Sequence, residues 1–372
     1  MTPPDRIQRT WLATIVVALA VVGCSRSAGD SATDPAAPSA STSTSANASS
    51  EASVAPSTGL LGPPETVELP PISSLGDQLV GHVPDIRPCD LVASETSVWV
   101  SLPDDRALAE IDPATNQVIR SVPLEILPCI ITFSAGSLWA ASGDDLTSEL
   151  VRVDPASGET IAVIDLPLAT SIWAMVDAGE GGVWALDRVN GTIIPIDPAT
   201  NAAGTPIELG WGASDMALAD GIAWVSSDIA DELVRIEVAT GDMERVPAEF
   251  VNGGVAIDER GVWALDQLGD RLTLIGGKDR LPVLSWEFEL EVGMPVAANG
   301  GVWMPSVTGA LLVFDSLTGD VAALYELPEG FSEAKVALDS VWLLDREHGG
   351  GILHILPDEV TPFEPPSAMI VP

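Results

Sequence analysis

Basic residues are the first scarcity. The 372-residue chain has 16 Lys and Arg against 54 Asp and Glu, a formal charge of −38, and its only lysines are Lys278 and Lys335. A surface of that sign repels phosphate backbones and anionic headgroups, which excludes nucleic acid as a partner and leaves cations, basic proteins and neutral ligands. The plainest use of the acidity is solubility, since no single acidic run dominates. Histidine is also scarce. His82, His348 and His354 are the only ones, and none falls in a Ser/His/Asp or metal-ligand spacing, so nucleophilic and general-base chemistry has little to work with. Helical periodicity is missing as well. Apolar material is not, because 46% of residues are hydrophobic and mean hydropathy is +0.29, enough for a sizeable core.

The N-terminus reads as an export signal. Arg6 and Arg9 precede an apolar stretch from Trp11 to Val22 that is short for a membrane span, and Val21-Val22-Gly23-Cys24 follows at once. The tetrapeptide resembles a bacterial lipobox. That resemblance implies removal of residues 1–23, acylation of Cys24, with palmitate among the acyl chains, and a protein tethered to the outer face of the cell membrane. Residues 24–75 are dominated by Ser, Ala, Thr and Pro, as in Ser39-Ala-Ser-Thr-Ser-Thr-Ser-Ala-Asn-Ala48. Such a segment buries too little surface to offset its conformational entropy and is expected to be a disordered, flexible spacer.

From residue 76 to 372 one signal dominates. A tryptophan recurs at Trp99, Trp139, Trp184, Trp224, Trp263, Trp303 and Trp342, with spacings of 40, 45, 40, 39, 40 and 39 residues and flanks such as Gly-Gly-Val-Trp184 and Gly-Gly-Val-Trp303. That period belongs to four-stranded propeller blades. Most units then carry a turn: Asp112-Pro-Ala-Thr-Asn116, Asp154-Pro-Ala-Ser-Gly158, Asp197-Pro-Ala-Thr-Asn201, Glu237-Val-Ala-Thr-Gly241 and Asp315-Ser-Leu-Thr-Gly319. Asp accepts a local backbone hydrogen bond, Pro presets φ and the last residue takes the left-handed conformation. The expected fold is all-β, a seven-bladed propeller of blades with strands A to D. Six of the recurring tryptophans are expected to fill the wedges between blades, with Trp286 packing in a D strand. Ring closure falls either to the stretch Asp77 to Ile86 or to the tail Glu359 to Glu364.

The candidate site follows from the ring. Asp187, Asp266 and Asp345 alternate with serines three residues after the tryptophans, where the B-to-C loops begin, and Asp90 and Asp215 stand at the start of strand A. These carboxylates either converge at the channel mouth, where they would suit Ca²⁺ or Mg²⁺, or cap their own loops. Trp173 and Trp211 break the register in D-to-A connections and offer either an apolar platform on the same face or a cap over the core. Cys89 and Cys129, each ten residues before its tryptophan, are either a disulfide between neighbouring blades or two small buried thiols. His348, beside Arg346 and Glu347, is the one residue placed to be tested as a base.

The Gly-x-Val/Leu-Trp strand followed by Asp-Pro-Ala-Thr-Gly/Asn resembles the YVTN-type and streptogramin (virginiamycin B) lyase-like propellers of bacterial envelopes, over roughly residues 76 to 364. The lyases of that group are magnesium-dependent and use histidine with acidic residues at the channel mouth, where only His348 could correspond. The expected function is a lipid-anchored, extracytoplasmic, monomeric propeller that binds an envelope or secreted protein, or a small ligand, without catalysis. A divalent-metal-dependent lyase or hydrolase and a structural cell-surface component are the alternatives.

Overall fold

The computed structural model describes residues 64–357 apart from 143–148, 167–170, 211, 228, 250, 267, 277–280, 307 and 347. The signal segment, Cys24, most of the spacer, Trp211 and the tail Glu359 to Glu364 lie outside the described residues.

Seven sheets form, one for each recurring tryptophan, and the strands within each blade run antiparallel. In blade 1 the strands are A (Leu91–Ala93), B (Val98–Leu102), C (Ala107–Asp112) and D (Gln117–Pro123). Blade 4 repeats the plan with Ala213–Ala219, Ile222–Ser227, Glu232–Glu237 and Met243–Pro247. Each A strand touches the A strands of both neighbouring blades, including those of blades 7 and 1, so the A strands make a closed ring around a central channel. B strands are buried almost throughout because both faces are covered: all five residues of Val98–Leu102 are buried. D strands alternate or are exposed because they form the rim.

The tryptophans occupy the wedges. Trp99 and Leu108 of blade 1 meet Ile131, Leu138 and Val151 of blade 2, and Trp342 and Leu344 of blade 7 meet Leu91, Val98 and Ala109 of blade 1. The same contact recurs at the other five junctions, each with the tryptophan of one blade facing the next. All seven are buried, from 0% to 9% exposed. Several indole N–H groups are satisfied within the blade: those of Trp139, Trp303 and Trp342 donate to the carbonyls of Ser134, Ala298 and Ala337 at the ends of their own A strands. Trp286 stacks on Trp263 with ring centroids 5.5 Å apart.

The acidic turns are built as their composition requires. Asp112 Oδ1 accepts from the Ala114 N–H and Oδ2 from the Thr115 hydroxyl, while Asn116 takes φ 55° to end the turn. Those hydrogen bonds, that from Ala114 first, hold the Asp112 carboxyl below its ordinary pKa. Arginines then latch blade to blade on this side of the ring. Arg120 lies over the Trp99 ring and donates to the carbonyls of Pro155 and Ala156 in the next blade's turn, and Arg152 lies over Trp139 and donates to Pro198.

The N-terminal stretch closes the ring. Strand Leu79–Val83 pairs antiparallel with Gly351–Ile355 as the outer strand of blade 7. A Cβ at Gly81 would collide with the Asn116 side chain, which fixes glycine where this strand passes the blade 1 turn. Residues that composition placed in the spacer also form structure here. Glu65–Thr66 runs parallel to Trp286–Glu287 on the rim of blade 5, and Ser73–Ser74 runs parallel to Tyr325–Glu326 on blade 6.

Candidate functional site

One channel mouth opens between the D-to-A and B-to-C loops as a cavity of about 1000 Å³. Its wall is set by one position of the A strands, occupied by Asp90, Ile130, Ala174, Asp215, Met294 and Glu333 in six of the blades, all of which line it. The blade 7 strand (Phe331–Ala337) then adds Lys335 two residues further along, on the same side of the strand.

The charges of this ring are organised around Lys335. Its Nζ lies 2.9 Å from Asp90 Oδ1 and 3.2 Å from Glu333 Oε1, and Arg346 Nη1 lies 2.7 Å from Glu333 Oε2. Burial acts against the lysine's charge, but Asp90, Glu333 and Asp215 outweigh it and raise its pKa, so it stays protonated. Asp215 has the opposite balance. Burial raises its pKa, against the N–H groups of Val255 and Met216 and the charge of Lys335, with Glu333 adding to the rise.

Asp90 and Asp215 also brace the ring in the same way. Asp90 Oδ1 accepts from the Leu91 N–H and Oδ2 from Ile131 of the next blade, while the Ser101 hydroxyl donates to the Cys129 carbonyl at 2.6 Å. Asp215 accepts from Met216 and from Val255 of the next blade, and Ser226 donates to the Gly253 carbonyl at 2.6 Å. A carboxylate on strand A with a serine opposite it on strand B therefore ties blade 1 to blade 2 and blade 4 to blade 5.

Trp173 lines the cavity, is 38% exposed, and carries the Arg188 guanidinium 4.5 Å from its ring centroid. Ile172, Met175, Met216 and Met294 add apolar side chains to the lining. Cys89 and Cys129 also line the cavity, joined as a disulfide with Cα atoms 5.0 Å apart. That separation is ordinary for a bridge between neighbouring strands. Arg346 Nη2 approaches both sulfurs, at 2.9 Å from Cys89 Sγ and 3.5 Å from Cys129 Sγ.

The loop carboxylates are not brought together. Asp187 Oδ1 accepts from Val189 and Asn190, Asp266 Oδ1 from Asp270 and Arg271, and Asp345 from His348 and Gly350. Each is buried within its own loop, where nearby backbone N–H groups use its oxygens. His348 has a 68% exposed side chain with Nδ1 3.5 Å from Asp345 Oδ1, and it does not line the cavity. Among the described residues no three His, Cys, Asp or Glu side chains group to hold a metal ion.

Sequence reasoning passed over Glu333 and Lys335. The available signal was Lys335 itself, one of two lysines in a chain of this charge, two residues from an acid on a strand expected to line the channel.

No family model matches the sequence, and no curated protein does either. Solved structures do resemble the fold. Virginiamycin B lyase from Staphylococcus aureus superposes with a TM-score of 0.62 at 14% identity, covering 73% of this chain and 96% of the lyase. BamB from Moraxella catarrhalis gives 0.55 at 12% identity, covering 73% of this chain and 83% of BamB. BBS1N, solved in complex with ARL6DN, gives 0.57 at 14% identity, covering 80% and 99%. A lyase and a propeller held in a complex with another protein share this architecture, so the likeness is one of fold alone.

Proposed function

We propose that this chain is a lipid-anchored, extracytoplasmic propeller that binds a protein or small ligand, without catalysis, at the mouth formed by its D-to-A and B-to-C loops. The observation that carries the proposal is the cavity of about 1000 Å³, whose lining combines Trp173 and the methionines with Lys335, Glu333, Asp90 and Arg346. Concave sites with an apolar lining and a few convergent polar groups are where ligands bind. Cys24 would carry the anchor and the Ser/Ala/Thr/Pro spacer would hold the propeller away from the membrane. Non-catalytic binding is favoured over metal-dependent lysis because the loop carboxylates already serve their own loops.

Cross-linking in intact envelopes, followed by purification of the tagged full-length chain, tests this. The wild type is expected to capture a defined partner or ligand that Trp173→Ala loses at least tenfold. Equal capture by the variant overturns the assignment of this face. Thermal unfolding with and without chelator addresses the enzyme reading, because a metal bound only to the native state raises Tm. An unchanged Tm is expected, and a rise with Mg²⁺ would count against non-catalytic binding.

A further inference from the structure

The Cys89–Cys129 bridge differs from a structural staple in two respects. The first is its setting. Both cysteines line the cavity although each is only 8% exposed, and a guanidinium from another blade reaches their sulfurs, with Arg346 Nη2 2.9 Å from Cys89 Sγ and 3.5 Å from Cys129 Sγ. Structural disulfides resist reduction, whereas those that a small thiolate can reach through a cavity and whose reduced form is stabilised are exchangeable.

The second is redundancy. At the blade 4 to blade 5 junction the same Asp/Ser brace operates through Asp215 and Ser226, and the positions matching the two cysteines are Ser214 and Gly253. That junction closes without a covalent bond. At the blade 1 to blade 2 junction Asp90 and Ser101 make the equivalent hydrogen bonds to Ile131 and Cys129, so the ring remains tied when the sulfurs part.

We propose that Cys89 and Cys129 form a thiol-exchange site opening on the channel cavity, reducible by small extracytoplasmic thiols or dithiols, with Arg346 as the residue that stabilises its reduced form. The asymmetry comes from charge. A guanidinium is a permanent donor, a disulfide sulfur is a weak neutral acceptor, and a thiolate is a strong anionic one. Arg346 therefore favours the reduced pair over the oxidised one. An incoming thiolate attacks one sulfur, forming a mixed disulfide and releasing the other sulfur as a thiolate beside Arg346. A second small thiolate attacks the small-molecule sulfur of the mixed disulfide and frees the second cysteine. Two electrons pass to the protein, the small thiols leave as their own disulfide, and the protons they gave up are available to the cysteines.

Glu333 supplies a control of opposite sign. It accepts from Arg346 Nη1 at 2.7 Å and competes with sulfur for the guanidinium. The full-length protein is equilibrated in glutathione buffers of graded ratio and quenched with a maleimide mass tag, and the oxidised fraction of the peptides carrying Cys89 and Cys129 is read by mass spectrometry. Arg346→Met is expected to make the pair about tenfold harder to reduce, which is about 30 mV for a two-electron couple. Arg346→Lys is expected to recover part of that, and Glu333→Gln to shift the equilibrium the other way. General loosening would move Arg346→Met and Glu333→Gln in one direction, so shifts of the same sign, or none, overturn the proposal. So does a wild-type pair that stays oxidised in excess reduced glutathione. Reduced wild type is expected to keep a cooperative unfolding transition, and collapse on reduction would make the bridge a structural staple.

Discussion

His354 stacks on Trp342 with ring centroids 3.8 Å apart and an 8° interplanar angle, and its Nδ1 lies 2.8 Å from Asn116 Oδ1. The Asn116 amide nitrogen faces the Val80 carbonyl, which leaves its oxygen for the histidine and places the ring proton on Nδ1. Nε2 is then a bare acceptor, buried without a partner. Burial lowers the pKa from 6.5 to about 4. The folded state thus binds fewer protons than the unfolded chain between those values, so stability is lost as pH falls from 6.5 towards 4. The shift corresponds to about 3 kcal/mol at full effect. Asp215, whose pKa is raised, works in the opposite direction, losing stability as pH rises through its folded value. Comparison with a variant isolates the histidine. His354→Phe keeps the stack, and urea denaturation at pH 4.5 and 7 is expected to show a smaller stability loss on acidification than in the wild type. Equal losses would refute this. The histidine was visible in the sequence but its role was not, because Asn116 lies 238 residues away.

At the scale of elements, most of the propeller was legible. The tryptophan period located every B strand and the acidic turns located the hairpins of the five blades that carry them, since one large side chain per wedge is a local demand repeated seven times and one tight turn a demand repeated in most blades. The rim strands were not legible. Glu65–Thr66 and Ser73–Ser74 are two residues each, sit among prolines, and pair in parallel with partners more than 200 residues away, so no periodicity marks them. The arginine latches were hidden too, as each joins a residue of one blade to a turn of the next and no local pattern marks the pair. What the rim segment contributes is apolar burial. Leu75 is 6% exposed in the core between blades 6 and 7, whereas Ile72 three residues earlier is 53% exposed. Leu75→Ala is therefore expected to cost about 2 to 4 kcal/mol, and Ile72→Ala less than about 0.5 kcal/mol, in chemical denaturation. Equal effects would mean that this segment does not belong to the folded ring.

Across the whole molecule the dominant long-range term is the excess of 38 acidic charges (54 − 16) over the full chain. The surface ion pairs that salt would weaken are partly exposed. Arg87 and Asp104, for example, are 3.7 Å apart with side chains 58% and 71% exposed, a pair of little worth in water. The channel pairs around Lys335 are more shielded, and salt reaches them less. Screening therefore relieves more repulsion than it removes attraction. The Debye length falls from about 30 Å at 0.01 M to about 10 Å at 0.1 M, so most of the relief comes below a few tenths molar. The urea midpoint is expected to rise over that range of NaCl and then level off, without a change in m-value. A midpoint that is flat or falls would show that the acidic surface is already internally compensated. The same field acts on partners: a basic protein would be steered to the molecule and associate more slowly as salt rises, while a neutral ligand of the cavity would not. Association rates measured across that salt range would distinguish the two kinds of occupant.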